Sequence, residues 1–264
     1  MSLYITSLNS GSNGNCYYVG NDQEAVLIDA GLSCRQIEVR MKRLGLSLQA
    51  VKAIFVSHEH SDHISAIPQL ARVYQLPVFI TSRTLQYSRF PEKRFPIRSF
   101  SPNEPVQIGD LQVTAFPKQH DASDPHSFLI SYQGTNVGVF TDIGVVCEHV
   151  IHHFKQCHAV FLEANYDEDM LDQGRYPYFL KQRIRGGKGH LSNQQALALF
   201  QMHKPPFMSH ILLSHLSKEN NNPQVVHDLF TPHMANTKLI VAPRHVETPV
   251  FRVSATASVA LMDN

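Results

Sequence analysis

A buried-strand pattern followed at once by a cluster of metal-ligand side chains constrains this chain more than any other feature of its sequence. The run 51–56 reads Val-Lys-Ala-Ile-Phe-Val, which is typical of a buried strand. Three imidazoles and one carboxylate follow it: His58, His60, Asp62 and His63. These groups bind Zn²⁺ and similar divalent ions, and four of them exceed what one open catalytic ion needs. The density of ligands favours a two-metal site over a polar turn that happens to be rich in histidine.

Three further candidate ligands stand where later apolar runs end. His120 follows the run 113–117, and Asp142 and His215 follow similar runs along the chain. Polar side chains at strand ends are how α/β folds build sites along one edge of a sheet. A single histidine in such a position is more often an ordinary surface residue. The repetition of the pattern after the first cluster favours one shared site.

Composition places the chain among ordinary globular proteins. It is 43% apolar and 17% charged, and its formal net charge is +1 at pH 7, so an anionic partner would have to be held by local charge or by metal. The four cysteines form no CxxC pair, which argues against disulfides or a thiolate zinc site.

No stretch approaches the roughly 18 apolar residues of a membrane span, so we expect a cytoplasmic protein without a membrane partner.

Strand and helix patterns follow one another without a linker, which predicts one α/β domain over residues 1–264. Strand patterns occupy 3–8, 16–19, 25–28, 51–56, 77–80, 106–116, 128–132, 136–140, 159–162 and 211–213. Helical periodicity occupies 33–46, 64–74, 194–203 and 225–229.

Two segments between these elements have a composition suited to anions. The loop 10–15 contains small, hydroxyl and amide residues with two glycines, and it is either a hairpin loop or an anion-binding nest of backbone N–H groups. The segment 178–193 contains four cations: Lys181, Arg183, Arg185 and Lys188. They could position phosphates. The alternative is a solvated basic loop before a helix capped by Ser192 or Asn193.

One set of residues resembles the signature of the metallo-β-lactamase fold: His58-x-His60-x-Asp62-His63, with Asp29 before it and His120, Asp142 and His215 after it. The resemblance implies an α/β (α+β) four-layer αββα sandwich with one or two metals at the edge of its two sheets. It assigns the first metal to His58, His60 and His120. It assigns the second metal to Asp62, His63 and His215. Asp142 would bridge both metals, and Asp29 would orient the loop that carries the ligands.

Five further segments resemble the WalJ/YycJ-type subgroup of this fold: 8–16, 120–122, 162–166, 189–193 and 213–217. That subgroup consists of compact bacterial nucleases and phosphodiesterases, including DNA exonucleases. Larger RNA-processing relatives carry a nucleic-acid clamp domain between the positions that match Asp142 and His215. That interval is too short here for an added domain, so we expect no clamp domain.

The resemblance and the ligand types together predict hydrolysis. Two divalent ions bridged by Asp142 would share a water and lower its pKa, giving a hydroxide that attacks a phosphodiester. Asp62 would accept a hydrogen bond from that hydroxide. His190, by resemblance to a family histidine beside the metals, would protonate the leaving oxygen or bind a phosphate oxygen. A ligand set of five histidines and two aspartates suits zinc or manganese, with iron as a further candidate.

Substrate contacts are predicted in the two anion-suited segments, at Ser10, Asn13, Asn15, Lys188, Ser192 and Asn193. We therefore predict a nuclease or exonuclease that acts on DNA, which is favoured over RNA, or on a smaller phosphodiester. A thioesterase, lactonase or glyoxalase-type hydrolase shares the metal motif and is the main alternative. A metal-stabilised interaction module without catalysis is the second alternative. The sequence does not indicate an oligomeric state.

Overall fold

Two β-sheets dominate the computed structural model, which describes residues 1–90 and 95–255. The strands are β1 (Ser2–Asn9), β2 (Cys16–Gly20), β3 (Ala25–Ile28), β4 (Val51–Phe55), β5 (Val78–Phe79), β6 (Ile97–Arg98), β7 (Pro105–Ile108), β8 (Leu111–Pro117), β9 (His126–Tyr132), β10 (Thr135–Phe140), β11 (Ala159–Glu163), β12 (His210–Ser214), β13 (Lys238–Val241) and β14 (Phe251–Ser254). The helices are α1 (Cys34–Arg43), α2 (Ser61–Ile64), α3 (Ile67–Tyr74), α4 (Ser82–Tyr87), α5 (Glu148–Phe154), α6 (Glu168–Gln173), α7 (Tyr178–Arg185), α8 (Asn193–His203) and α9 (Pro223–Phe230).

Each sheet has seven strands within the described part of the chain. The order in the first sheet is β14-β1-β2-β3-β4-β5-β6, and in the second it is β13-β12-β11-β10-β9-β8-β7. β3 and β4 pair in parallel, and so do β10, β11 and β12. Within each sheet, the carboxyl ends of these parallel strands therefore lie side by side. This edge is where α/β folds place their sites.

Three separate apolar cores show that the molecule has four layers. The central core lies between the sheets and includes Tyr17 and Phe55 of the first sheet and Phe161 of the second. A second core packs α1 and α3 against the outer face of the first sheet, with Ile37 from α1. A third core packs α5, α8 and α9 against the second sheet, with Phe200 from α8. The predicted αββα sandwich is confirmed.

Helices with a clear apolar face and a capping residue were predictable. The predicted helix 33–46 corresponds to α1, which begins where Ser33 accepts a hydrogen bond from the backbone N–H of Gln36. The predicted helix 64–74 corresponds to α3, which begins at Ile67, and Ile64 is the last residue of the short helix α2. None of the described helices is long and apolar enough to span a bilayer. Residues 256–264, the end of the predicted domain, lie outside the described residues.

One interpretation of the basic segment needs correction. The alternative interpretation is a solvated basic loop before a helix capped by Ser192 or Asn193, whereas residues Tyr178–Arg185 of this segment form the helix α7. This helix has no buried residue. Its apolar positions therefore do not mark a core-facing stripe, which is the signal by which a helix is recognised in a sequence.

Removing the ring of Phe161 should destabilise the fold by about 3–5 kcal/mol, because large-to-small changes in a core also create a cavity. Phe161 is fully buried, and its ring centroid lies 4.9 Å from that of Tyr17 on the facing sheet. The measurement is the free energy of unfolding of Phe161→Ala by urea denaturation. Phe179→Ala is the matched control, since Phe179 is 73% exposed. Equal losses in the two variants would contradict the inter-sheet position of Phe161.

Candidate metal centre

Three residues just after strands adopt the left-handed backbone conformation. Asp29, Asp142 and His215 come after β3, β10 and β12, and their φ angles are 61°, 54° and 57°. Residues other than glycine adopt this region rarely, and such residues cluster at functional sites. All three side chains are buried and belong to one connected group of imidazoles and carboxylates.

The carboxylate of Asp142 lies at the centre of this group. Its Oδ2 atom is 3.2 Å from Nδ1 of His215 and 3.3 Å from Nε2 of His63. Its Oδ1 atom is 3.8 Å from Nε2 of His120. The two oxygens therefore face different histidines, which is the arrangement that a carboxylate shared by two metal positions requires.

The structure brings together His58, His60 and His120, the ligands predicted for the first metal. One ring nitrogen of each lies within 4.8 Å of those of the other two. Nε2 of His58 is 3.0 Å from Nδ1 of His60. Nδ1 of His120 donates to the carbonyl oxygen of Gly189 at 3.0 Å, which leaves the lone pair on its Nε2, an atom 3.3 Å from Oδ1 of Asp121 and 3.8 Å from Oδ1 of Asp142. Hydrogen bonding at one ring nitrogen thus selects the other for a metal.

Two of the ligands predicted for the second metal, His63 and His215, face Oδ2 of Asp142, whereas His120 faces Oδ1. His58, predicted for the first metal, also lies in a group with His63 and Asp142 whose ligand atoms are within 4.8 Å of one another. Asp62 stands further out: its Oδ2 is 3.5 Å from Nε2 of His63, and its side chain is 22% exposed. Asp62 is therefore the candidate ligand of this set that is most open to solvent.

Three buried atoms of the group have no hydrogen-bond partner among the described residues: Nε2 of His120, Oδ2 of Asp142 and Nδ1 of His215. A buried polar atom left without a partner is unfavourable by about 1–3 kcal/mol. Imidazole nitrogens and carboxylate oxygens are ligands that zinc and manganese accept. A divalent cation would satisfy all three atoms, so the residues present fit a metal ion.

The electrostatics of the group keep the imidazoles of His58 and His120 neutral and favour positive charge beside Asp142. Burial lowers the pKa of His120 to about 2 and the pKa of His58 well below its usual range, so both imidazoles are neutral. Burial raises the pKa of Asp142, but His215 and His63 outweigh burial and hold this pKa well below its ordinary value. Burial likewise lowers the pKa of His63, yet the Asp142 and Asp29 carboxylates raise it to about 9. The surrounding carboxylates therefore stabilise positive charge at this place.

Asp29 supports the ligand loop through three short hydrogen bonds. Its Oδ2 accepts from Nδ1 of His63 and from the hydroxyl of Ser57, each at 2.7 Å, and its Oδ1 accepts from the Ser57 N–H at 2.8 Å. Because Ser57 gives its hydroxyl proton to Asp29, its oxygen accepts from Nδ1 of His58 at 2.9 Å. Sequence reasoning did not identify Ser57, and its only signal was its position between β4 and the first histidine.

A buried carboxylate that the sequence analysis does not assign lies beside His190. Glu163 is the last residue of β11 and is fully buried. Its Oε1 accepts a hydrogen bond from Nδ1 of His190 at 2.7 Å, and its Oε2 accepts from the N–H of Ile143 at 2.7 Å. Burial lowers the pKa of His190, but the Glu163 carboxylate, together with Asp142 and Asp121, outweighs burial, so the net shift of this pKa is upward. A carboxylate directly after an apolar run was the signal available in the sequence.

The predicted substrate contacts Ser10 and Asn15 need correction. Their side chains are buried, with exposures of 2% and 0%. The hydroxyl of Ser10 accepts from the backbone N–H of His215 at 2.7 Å, and the amide of Asn15 donates to Oδ2 of Asp62 at 3.2 Å. Both polar groups are used to position candidate metal ligands, so neither is free to face a substrate.

Two residues near His190 also have structural roles in place of the predicted substrate contacts. Ser192 caps α8 by accepting from the N–H of Gln195, as the alternative interpretation of this segment proposed. Asn193 donates to Oδ1 of Asn221 at 3.0 Å. Both side chains are buried, and their polar groups are occupied by these bonds and by the bond from Ser192 to Glu168.

Asn13 and Lys188 are exposed, and their roles stay predictions. The amide of Asn13 donates to the backbone carbonyl of Arg244 at 2.9 Å. Arg183, rather than Lys188, is the cation that lines the cavity beside the histidines.

An open cavity of about 240 Å³ lies over the candidate ligands. The polar side chains in its lining include His60, Asp62, Asp121, Asp142, Arg183, His190 and His215. Nε of Arg183 donates to Oδ2 of Asp121 at 2.5 Å. The cavity therefore combines metal-binding groups with a guanidinium, which suits a substrate with negative charge.

An αββα sandwich that gathers imidazoles and carboxylates at the strand ends of both sheets defines the class of metallo-β-lactamase-fold hydrolases. The structure of the metallo-beta-lactamase fold protein YhfI from Bacillus subtilis superposes with a TM-score of 0.74. The superposition covers 96% of this chain and 100% of YhfI at 16% sequence identity. This likeness shows the fold.

Sequence comparison places the chain within a family. The model of the Beta-lactamase superfamily domain matches residues 24–215, and the chain belongs to this family. Exodeoxyribonuclease YycJ of Bacillus anthracis is 36% identical over 84% of this chain and 85% of its own length. Exodeoxyribonuclease WalJ of Streptococcus pneumoniae is 30% identical over 88% of each chain. The predicted resemblance to WalJ/YycJ-type proteins is confirmed, and the chain is a metal-dependent hydrolase.

Proposed function

We propose that this protein is an exodeoxyribonuclease that hydrolyses phosphodiester bonds of DNA at a site for two divalent ions, zinc or manganese. The observation that carries the proposal is the position of Asp142, which presents one oxygen to His120 and the other to His63 and His215. The names of the relatives, both exodeoxyribonucleases, support DNA as the substrate.

The proposed site residues have distinct roles. His58, His60 and His120 hold one ion, Asp62, His63 and His215 hold the other, and Asp142 is shared. When bound, the two ions supply an activated water and neutralise charge on the phosphodiester.

His190 is the proposed proton donor to the leaving oxygen. Its Nδ1 is held by Glu163 at 2.7 Å, so its Nε2 is the nitrogen available to a substrate. The side chain lines the cavity and is 22% exposed, which supports its contact with a bound phosphodiester. Glu163 fixes the orientation of the ring and stabilises its protonated form.

A substrate panel tests the proposal. The purified protein is loaded with zinc or manganese separately and given bis(p-nitrophenyl) phosphate, end-labelled DNA, end-labelled RNA and a set of thioesters. We expect turnover of the phosphodiester and shortening of DNA from its ends. Turnover of thioesters alone would overturn the proposal in favour of the thioesterase alternative. Binding of metal without turnover of any substrate would favour the interaction-module alternative.

Replacing Glu163 should shift the pH dependence of DNA cleavage. The Glu163 carboxylate raises the pKa of His190, so Glu163→Gln lowers that pKa. A proton donor is lost as the pH rises through its pKa, and the alkaline limb of the pH–rate profile should therefore move to lower pH. Glu168→Gln is the control, because the Glu168 side chain is exposed and accepts its hydrogen bond from the hydroxyl of Ser192 and not from His190. An alkaline limb at the same pH in Glu163→Gln would contradict this role.

A further inference from the structure

The helix α7 holds the two most exposed aromatic side chains among the described residues. Tyr178 is 76% exposed and Phe179 is 73% exposed. The helix is nevertheless fixed to the body of the protein, because Nζ of Lys181 donates to the carbonyl of Asp172 at 2.7 Å and Arg185 pairs with the Asp172 carboxylate. The two rings are therefore held in solvent by an anchored helix.

The adjoining face of α7 forms part of the wall of the candidate metal centre. Leu180, Arg183 and Ile184 line the cavity together with His190. Phe179 lies four residues before Arg183, and residues at this spacing are neighbours on the surface of a helix. The exposed ring of Phe179 therefore adjoins the rim of the cavity at the position of the guanidinium.

The charge around these rings indicates an anionic partner. Residues 178–188 contain four cations and no acidic residue. Aromatic rings beside cations are the arrangement by which proteins bind single-stranded nucleic acid, since rings stack on bases while cations face the phosphates. Arg183 pairs with Asp121 and Arg185 pairs with Asp172. Lys181 and Lys188 have no carboxylate partner among the described residues, so these two cations can face the phosphates of a partner.

We propose that α7 is a stacking platform for unpaired bases of a DNA strand whose scissile phosphodiester lies in the cavity. Phe179 stacks on the base next to the cavity, Tyr178 extends the platform outward, and Arg183 faces the backbone phosphate between them and the metal centre. This inference rests on the proposed nuclease function and names the form of its substrate, a single strand or a frayed end.

The absence of tryptophan from the chain permits a direct binding test. Phe179→Trp introduces a single indole on the platform, and stacking on a base quenches indole fluorescence. The titration uses the metal-loaded protein and a single-stranded deoxyoligonucleotide with phosphorothioate linkages, which resist cleavage. Phe207→Trp is the matched control, since Phe207 is 42% exposed and precedes β12, whereas the site lies after that strand. We expect quenching in Phe179→Trp and none in Phe207→Trp.

A kinetic comparison separates the contribution of base stacking to KM from the contribution of phosphate contacts. Stacking on an aromatic ring contributes about 1–3 kcal/mol per base, so Phe179→Ala should raise KM for a single-stranded oligonucleotide about tenfold. An oligonucleotide with abasic sites retains its phosphates but cannot stack, and its KM should change far less. Phe179→Leu should behave like the alanine variant if stacking, rather than apolar contact, is responsible.

The outcomes distinguish this inference from the proposed function. If the wild-type protein cleaves DNA but Phe179→Trp is not quenched, the platform is overturned while the nuclease function stands. Equal quenching by a blunt duplex would overturn the assignment to unpaired bases, and an equal KM effect on the abasic strand would overturn stacking. If neither DNA cleavage nor quenching occurs, both proposals fail.

Discussion

Replacing Asp142 with asparagine is expected to reduce phosphodiester turnover by at least about 10³-fold, since loss of even one preorganised electrostatic group in an active site costs about 10²–10³ in rate. Asp142 is in contact with both halves of the proposed centre, so its loss weakens both metal positions. The neutral amide also removes the negative charge that Oδ2 of Asp142 presents to the buried rings of His63 and His215. We therefore expect a lower metal content per chain together with the loss of turnover.

The measurements for Asp142→Asn are kcat on bis(p-nitrophenyl) phosphate, metal content by mass spectrometry and the far-ultraviolet circular dichroism spectrum. Asp228→Asn is the matched control, because the side chain of Asp228 is 65% exposed on α9. A variant that keeps its fold, its metal and its turnover would exclude Asp142 as the shared ligand. A variant that loses turnover and metal while retaining its spectrum would support the two-metal proposal.

The ligands could be predicted from the sequence because their signal is local. His58, His60, Asp62 and His63 follow a strand pattern within a few residues, and no tertiary information is needed to see that they lie close together. The strand-end positions of Asp142 and His215 were visible for the same reason. That they meet the first cluster depends on how the two sheets pack, which the resemblance to a known fold implied.

The supporting residues could not be predicted because their roles arise from tertiary contacts. Glu163 is separated from His190 by 27 positions, and their hydrogen bond exists only because β11 and the loop before α8 lie together. Ser10 and Asn15 were polar residues in a glycine-containing loop, and nothing local shows that the loop turns inward to His215 and Asp62. The composition of this loop predicts contacts with a substrate. In the structure its buried side chains instead support the candidate metal ligands.

The proposed centre takes its residues from both sheets. The first sheet contributes the rigid half, in which Asp29 and Ser57 hold the His58 and His63 rings through buried hydrogen bonds. The second sheet contributes Asp142 and the His190–Glu163 pair. Because the apolar core between the sheets sets the distance between the two halves, the packing of that core also determines the geometry of the centre.

Replacing His190 with alanine should slow DNA cleavage by about 10²–10⁴-fold, the usual contribution of general acid catalysis. The reason is that the leaving group of DNA is an alkoxide, which needs a proton as the bond to phosphorus breaks. The leaving group of bis(p-nitrophenyl) phosphate is an acidic phenol that departs without one. Turnover of this small substrate by His190→Ala should therefore fall much less than cleavage of DNA.

The contrast between the two substrates is the decisive measurement for His190. His227→Ala serves as the control, since the side chain of His227 is 47% exposed on α9. An equal loss on both substrates would mean that His190 acts through the metal centre or through phosphate binding, and the proton-donor role would be wrong. A loss confined to DNA would show that the leaving oxygen receives its proton here, because only that substrate has a basic leaving group.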